Sequence, residues 1–207
     1  MGFCRIADIE EFLQVSIPSA KVTAAQRAID EATAAIKNYC RQVLELTEDD
    51  EVTLDSPGAY TLCLPEMPVV EVSEVIEDDE TLTEGDDYVV LASGILRRLN
   101  QRWVRGFQVI IVTYTHGYRL PTGNSATGDP LPDDIVGVCA RAAARAYQAG
   151  LRSEEQGGIP GVRSTSLGDY SVGFAEDSGG GGESALGASS APILLRSEQR
   201  ILDKYRL

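Results

Sequence analysis

Between residues 22 and 43 the apolar side chains recur in steps of three and four: Val22, Ala25, Ile29, Ala32, Ile36, Tyr39 or Cys40, and Val43. That spacing lays them on one stripe of an α-helix. Lys21, Gln26, Arg27, Asp30, Glu31, Lys37 and Arg41 fall largely off the stripe and face water. Ser19 or Thr23 is placed to cap the helix start, where a side-chain oxygen satisfies an orphan backbone N–H. A second stripe, Ile135, Val138, Cys139, Ala142, Ala146 and Tyr147, follows Pro132 and precedes Gly150, predicting a helix over 133–150. Both stripes are rich in alanine, so the two helices are expected to pack together at the short end of the ~8–10 Å interaxial range. Residues 7–14 predict a shorter helix with Asp8 as cap and Ile9, Phe12 and Leu13 on one face.

After Leu46 the period changes to two. Residues 51–55 and 59–64 flank Ser56-Pro57-Gly58 and predict a hairpin-like pair of short strands. Further strands are expected within 67–77, at 88–92, at 95–99 and at 108–115, the last (QVIIVTYT) being the most β-rich stretch of the chain. The sequence therefore predicts an α+β fold: a small α-helical bundle with an inserted antiparallel β unit and an extended C-terminal arm ending in a helix. The expected divisions are bundle helices over 1–46, the β unit over 47–119, and a loop and third bundle helix over 120–150. An extended segment and Gly/Ser linker over 151–191 lead to a terminal helix over 192–207. Within the arm, residues 163–174 are weakly periodic, and 178–191 have the composition of a flexible tether with a mean reach of ~20 Å.

The last sixteen residues carry an apolar stripe of Leu194, Ile201 and Tyr205 with Leu195 and Leu202 beside it. Arg196, Arg200, Lys204 and Arg206 outnumber Glu198 and Asp203, giving this helix a positive balance on an acidic protein. Two readings stand: a docking arm for a partner, or a helix that folds back onto its own core.

Composition changes the picture little, and charge changes it more. No apolar run approaches the ~20 residues of a membrane span, and the opening MGFCRIADIEEF lacks the basic-then-apolar order of a secretory signal. No membrane association is expected. The cysteines (Cys4, Cys40, Cys63, Cys139) form no CxxC pair and suit reduced thiols. A net charge of −14 argues against nonspecific nucleic-acid binding, which depends on neutralising phosphates. Residues 42–96 hold 16 of the 32 carboxylates and no lysine or arginine. Residues 88–128 hold no carboxylate, but contain Arg97, Arg98, Arg102, Arg105 and Arg119. Either these are two solvated loop regions, or the acidic surface of one subunit, including Glu77, Asp78 and Asp79, meets Arg97, Arg98, Arg102 and Arg105 of the next.

Candidate chemistry is sparse. His116, the only histidine, follows the strongest strand in THGY and lacks the nucleophile and acid of a hydrolytic triad. It is expected to bond its neighbours in a turn. Glu77-Asp78-Asp79-Glu80 lacks the spaced ligands and the glycine of a calcium loop, and an exposed turn is expected. Gly179 to Gly182 is no phosphate loop, because no strand precedes it and no GK[ST] follows. No catalytic residue, metal or cofactor is expected.

The order of segments resembles the head–tail connector, or adaptor, family of tailed bacteriophages. The resemblance rests on ADIEEFL, AAQRAIDEATAAIKNYC, LPEMPVVEVSEV, GDDYVV with a GIL step, VIIVTYTHGY, LPDDIVGVCARAAARAY, SLGDYS and LLRSEQRILDKYR, in that order. It implies a non-enzymatic structural protein of the virion neck, assembled in the bacterial host cytoplasm. Copies would form a dodecameric ring beneath the portal protein, extend the channel for passing viral DNA without binding it specifically, and seat a stopper or other neck or tail protein. It also implies that the C-terminal segment reaches the portal, through Leu194, Leu195, Arg196, Arg200, Ile201 and Tyr205. The glycine-rich linker here is longer than the family pattern. Alternative roles are a head-closure (stopper) or tail-completion protein of the neck, or a small acidic metal-binding or enzymatic module.

Overall fold

The alanine stripes meet as their spacing predicts. In a computed structural model, which describes residues 2–91, 94–121, 123, 127–155, 164–167, 170–173 and 193–206, helices α2 (Val22–Cys40) and α3 (Asp133–Glu155) pack together. Ala25, Ala28, Ile29, Ala32, Ile36 and Cys40 of α2 share one buried core with Ile135, Val138, Cys139, Ala142 and Ala143 of α3. Thr33 joins this stripe by satisfying its hydroxyl: the oxygen accepts the Phe3 N–H at 3.2 Å and lies 3.7 Å from the Cys139 sulfur. Helix α1 (Ile6–Leu13) lies against α3 and buries Ile9.

The helix ends differ from the expectations. Asp8 lies inside the first turn of α1, where its carboxylate accepts the Arg5 backbone N–H at 2.6 Å. Phe12 is half exposed, because the face of α1 turned to the core carries Ile6, Ile9 and Leu13 instead. A 3₁₀ turn (Ser19–Lys21) precedes α2, and the N-cap residue is Lys21, without a side-chain cap. Arg41 turns left-handed after Cys40, so Val43 lies past the helix end and is exposed. Helix α3 continues through Gly150 to Glu155. A Cβ at Gly150 would meet nothing within 4 Å, and an exposed mid-helix glycine costs only about 1 kcal/mol.

The β unit is two packed antiparallel sheets. One has the order β1 (Thr47–Ser56), β7 (Gly106–His116), β3 (Val69–Glu77), β4 (Glu80–Thr81); the other is β2 (Thr61–Cys63), β6 (Ile95–Arg98), β5 (Tyr88–Leu91). Leu62, Val75, Leu96, Trp103, Ile110, Val112 and Tyr114 fill the second core. The hairpin predicted across Ser56-Pro57-Gly58 does not form. Strand β1 pairs with β7 from Thr47↔His116 to Ser56↔Gly106, whereas β2 pairs with β6. The long apolar β7 is a better partner for β1 than the three-residue β2, so the turn carries the chain from one sheet to the other, with Gly58 at φ +79°. The acidic turn is a tight β3–β4 hairpin: Glu77 pairs with Glu80, and Asp78 and Asp79 take φ of 50° and 66°.

Bundle and β unit join where the Leu46 N–H donates to the Tyr118 carbonyl and the Tyr118 N–H to that of Leu44 (both 2.9 Å). Gly117 is required there: at φ +91° a Cβ would lie 2.2 Å from the Glu45 carbonyl oxygen. In the arm, Ser164–Leu167 (β8) and Tyr170–Gly173 (β9) pair as an antiparallel hairpin. The Gly/Ser tether over 178–191 falls outside the described residues. Among the described residues no helix is long and apolar enough to cross a membrane.

Candidate assembly surfaces

The terminal helix α4 (Arg196–Leu202) sits on its own bundle, against α2 and α3. Leu202 and Leu194 enter the bundle core, and Ile201 and Tyr205 pack partly buried at its margin. The buried Glu198 fixes the seat. Its two carboxylate oxygens accept Arg145 N–H groups at 2.7 and 2.6 Å, and Arg141 lies 3.7 Å away. Arg145 also donates to the Ile193 carbonyl at 2.9 Å. Planar, bidentate bonding of this kind suits the guanidinium fork. Beyond it, Lys204 donates to Asp134, and the Tyr39 hydroxyl to Asp203. The bond to Asp134 holds the Lys204 ammonium above its ordinary pKa, and the bond to Asp203 raises the Tyr39 phenol. Of the residues implied to reach a portal, Leu195, Arg196 and Arg200 face solvent, whereas Leu194 is buried and Ile201 and Tyr205 lean on the bundle.

The residues expected at a subunit interface divide similarly. Arg98 and Glu77 are each 4% exposed and bonded to one another at 2.7 Å within one chain. They link the two sheets and cannot face a neighbour. Arg98 also meets Asp87 at 3.2 Å and lies over the Trp103 ring at 5.4 Å. The other Glu77 oxygen accepts the Val104 N–H at 2.7 Å. Sequence distance hid this arrangement: the acidic turn and the arginine loop are neighbours, with the Asp78 N–H donating to the Val109 carbonyl. Arg97, Arg102, Arg105, Asp78 and Asp79 remain exposed.

The far end of the β unit carries a surface that the periodicity gave no reason to single out. Phe107 is 88% exposed, with Tyr60 and Val104 also exposed nearby in the chain's loops. Arg102 lies over the Tyr60 ring at 5.2 Å. A groove of about 530 Å³ is lined by Asp55, Ser56, Pro57, Arg105, Gly106 and Phe107. An exposed phenylalanine at the head of a strand whose later residues are buried was the available signal.

Catalytic machinery does not converge anywhere among the described residues. His116 is buried at the end of β7, its Nε2 3.2 Å from Asp50 Oδ2 and its ring 5.0 Å from Tyr114. No described group of three His, Cys, Asp or Glu residues is placed to hold a metal ion. The four cysteines are free thiols. Burial pushes Cys40 up to about 11, and the Cys139 thiol beside Cys4 raises Cys4 further, so neither is a ready nucleophile.

The fold is shared with a solved structure of the neck of an empty GTA particle, computed with C6 symmetry (TM-score 0.54, 14% identity, 99% of this chain and 89% of that one). The neck of a native GTA particle, computed with C12 symmetry, is similar at 14% identity over 99% of this chain and 88% of that one, with a TM-score of 0.46. No curated protein matches the chain. A family model described as head completion protein matches residues 3–136, which take in α1, α2, the whole β unit and the start of α3. Matched over well more than half its length, the chain belongs to the head completion protein family.

Proposed function

We propose that this protein is a head–tail adaptor of the virion neck. Copies assemble as a ring, expected to be dodecameric, beneath the portal protein. The ring extends the channel for passing viral DNA and seats a stopper or other neck or tail protein. The family match over residues 3–136 is the observation that carries this reading. The role is structural: no enzymatic step, metal or cofactor enters it, and His116 bonds Asp50 to hold the base of the β unit. A ring whose subunits meet head to tail needs two different, complementary faces on each copy. An acidic channel wall, from a chain of net charge −14, would let a duplex slide rather than bind.

The exposed side of α4 supplies the portal contact, through Leu195, Arg196 and Arg200. Leu194, Ile201 and Tyr205 reach the portal only where α4 leaves its seat.

Native mass of the purified protein, alone and mixed with the portal ring of the same virus, tests the reading. A closed ring with a defined number of subunits is expected in at least one condition. A Leu195→Asp, Arg200→Glu variant should lose portal association while melting like the wild type. A monomer that ignores the portal overturns the adaptor assignment. A cross-link map that placed the chain against another neck ring, with no portal contact, would move it to the stopper or tail-completion position.

A further inference from the structure

The outer face of the four-stranded sheet has an uncommon composition. Its register puts Glu51, Thr113 and Glu74 side by side in one row, and Thr53, Ile111 and Ile76 in the next. These residues alternate with Val52, Val112 and Val75, which face the β core, so both rows point away from it. Glu51 and Glu74 lie two strands apart, about 9.6 Å, and neither has an ion pair among the described residues. Two like charges thus flank one row while two isoleucines, partly exposed, occupy the other.

The tip carries the converse. Among the described residues Phe107 is the most exposed large apolar side chain, and Arg105, two residues earlier, has no ion pair. Asp55, the carboxylate that lines the groove, accepts the Gln108 backbone N–H of β7 at 2.8 Å. Along an extended chain, residues two apart are separated by about 6.6 Å, and successive rows of one sheet face have that same spacing. An arginine and a phenylalanine two apart therefore match a carboxylate row and an isoleucine row two apart.

We propose that the β-unit tip docks on the outer sheet face of a second copy of this chain. Phe107 covers Ile111 and Ile76, and Arg105 lies between Glu51 and Glu74. This inference rests on the ring reading above and names the contact that would close the ring. The faces are different surfaces of one chain, as a head-to-tail interface requires.

The test mixes two cysteine variants of the full chain, Phe107→Cys and Thr53→Cys, both in a Cys63→Ser background, with the portal ring present and absent. Phe107 and Thr53 are exposed, so both variants should melt like the wild type. Under mild oxidation the mixture is expected to form a disulfide between copies, and each variant alone should form none at these sites. Charge exchange is the second arm. Arg105→Glu should weaken ring formation at least tenfold, and adding Glu51→Arg and Glu74→Arg should restore it. A wild-type ring of normal mass with neither cross-link nor charge rescue overturns the Phe107 contact and leaves the ring reading standing. A wild-type chain that stays monomeric, alone and on the portal, overturns both.

Discussion

Arg98 carries its charge into the β unit because its partners meet it there: the Glu77 carboxylate at 2.7 Å, Asp87 at 3.2 Å and the Trp103 face at 5.4 Å. Removing one member of such a buried pair strands the other, a loss on the order of 3–5 kcal/mol. Asp87 sits at the wet edge of this cluster. The Thr83 backbone N–H donates to its carboxylate at 3.0 Å, and that bond, ahead of Arg98, holds its pKa below the ordinary 3.8. A carboxylate with a depressed folded-state pKa stabilises the fold fully above its unfolded value. That contribution is lost as pH falls through the folded value. Asp87→Asn should therefore be less stable than the wild type above about pH 5, and the gap should narrow as pH falls below the ordinary carboxylate range and through the lowered folded value. Urea unfolding across that range checks this, and a gap that does not change with pH would show that the ionisation of Asp87 contributes nothing.

At the scale of elements, small side chains decide how closely α2 and α3 approach. Ala32 and Ala143 are fully buried in the bundle core. Interiors are close-packed, so added volume has nowhere to go. Ala143→Leu is expected to destabilise the protein by about 1–3 kcal/mol through overpacking, read as a lower urea midpoint at unchanged slope. An unchanged midpoint would mean that the helices part without cost. Strand β7 plays the matching role in the β unit. It pairs with β1 on one side and β3 on the other, and its alternation sends Ile110, Val112 and Tyr114 into the core and Ile111 and Thr113 to the outer face.

At the scale of the whole molecule, the described residues form two cores, one in the bundle and one between the sheets, joined at the Gly117 crossing. Helix α4 belongs to the first of these. A chain ending at residue 192 should therefore unfold at a lower temperature than the full chain, because Leu194 and Leu202 each contribute roughly 1.5–3 kcal/mol by burial. A thermal scan measures it, and an unchanged midpoint would show that the seat contributes no stability. For that reason, substitutions on the exposed side of α4 probe portal docking more cleanly than truncation does.

Helices and strands were largely legible in the residue pattern, since periods of 3.6 and 2 are local properties of consecutive side chains. The buried alanine face of α2, the strand character of 108–115 and the acidic turn at 77–80 all follow from neighbours in sequence. Their segment order also carried the family. The sequence did not say which strand pairs with which, because pairing depends on what β7 brings together from distant parts of the chain: β1 took it, and the expected hairpin gave way. Charge was the least legible. Glu77 and Arg98 lie 21 positions apart, and only the packing of two sheets turns an acidic segment and a basic one into a single buried pair. The same holds for α4, whose apolar stripe is plain in the sequence. Its seat exists only once Arg145 of α3 stands opposite Glu198.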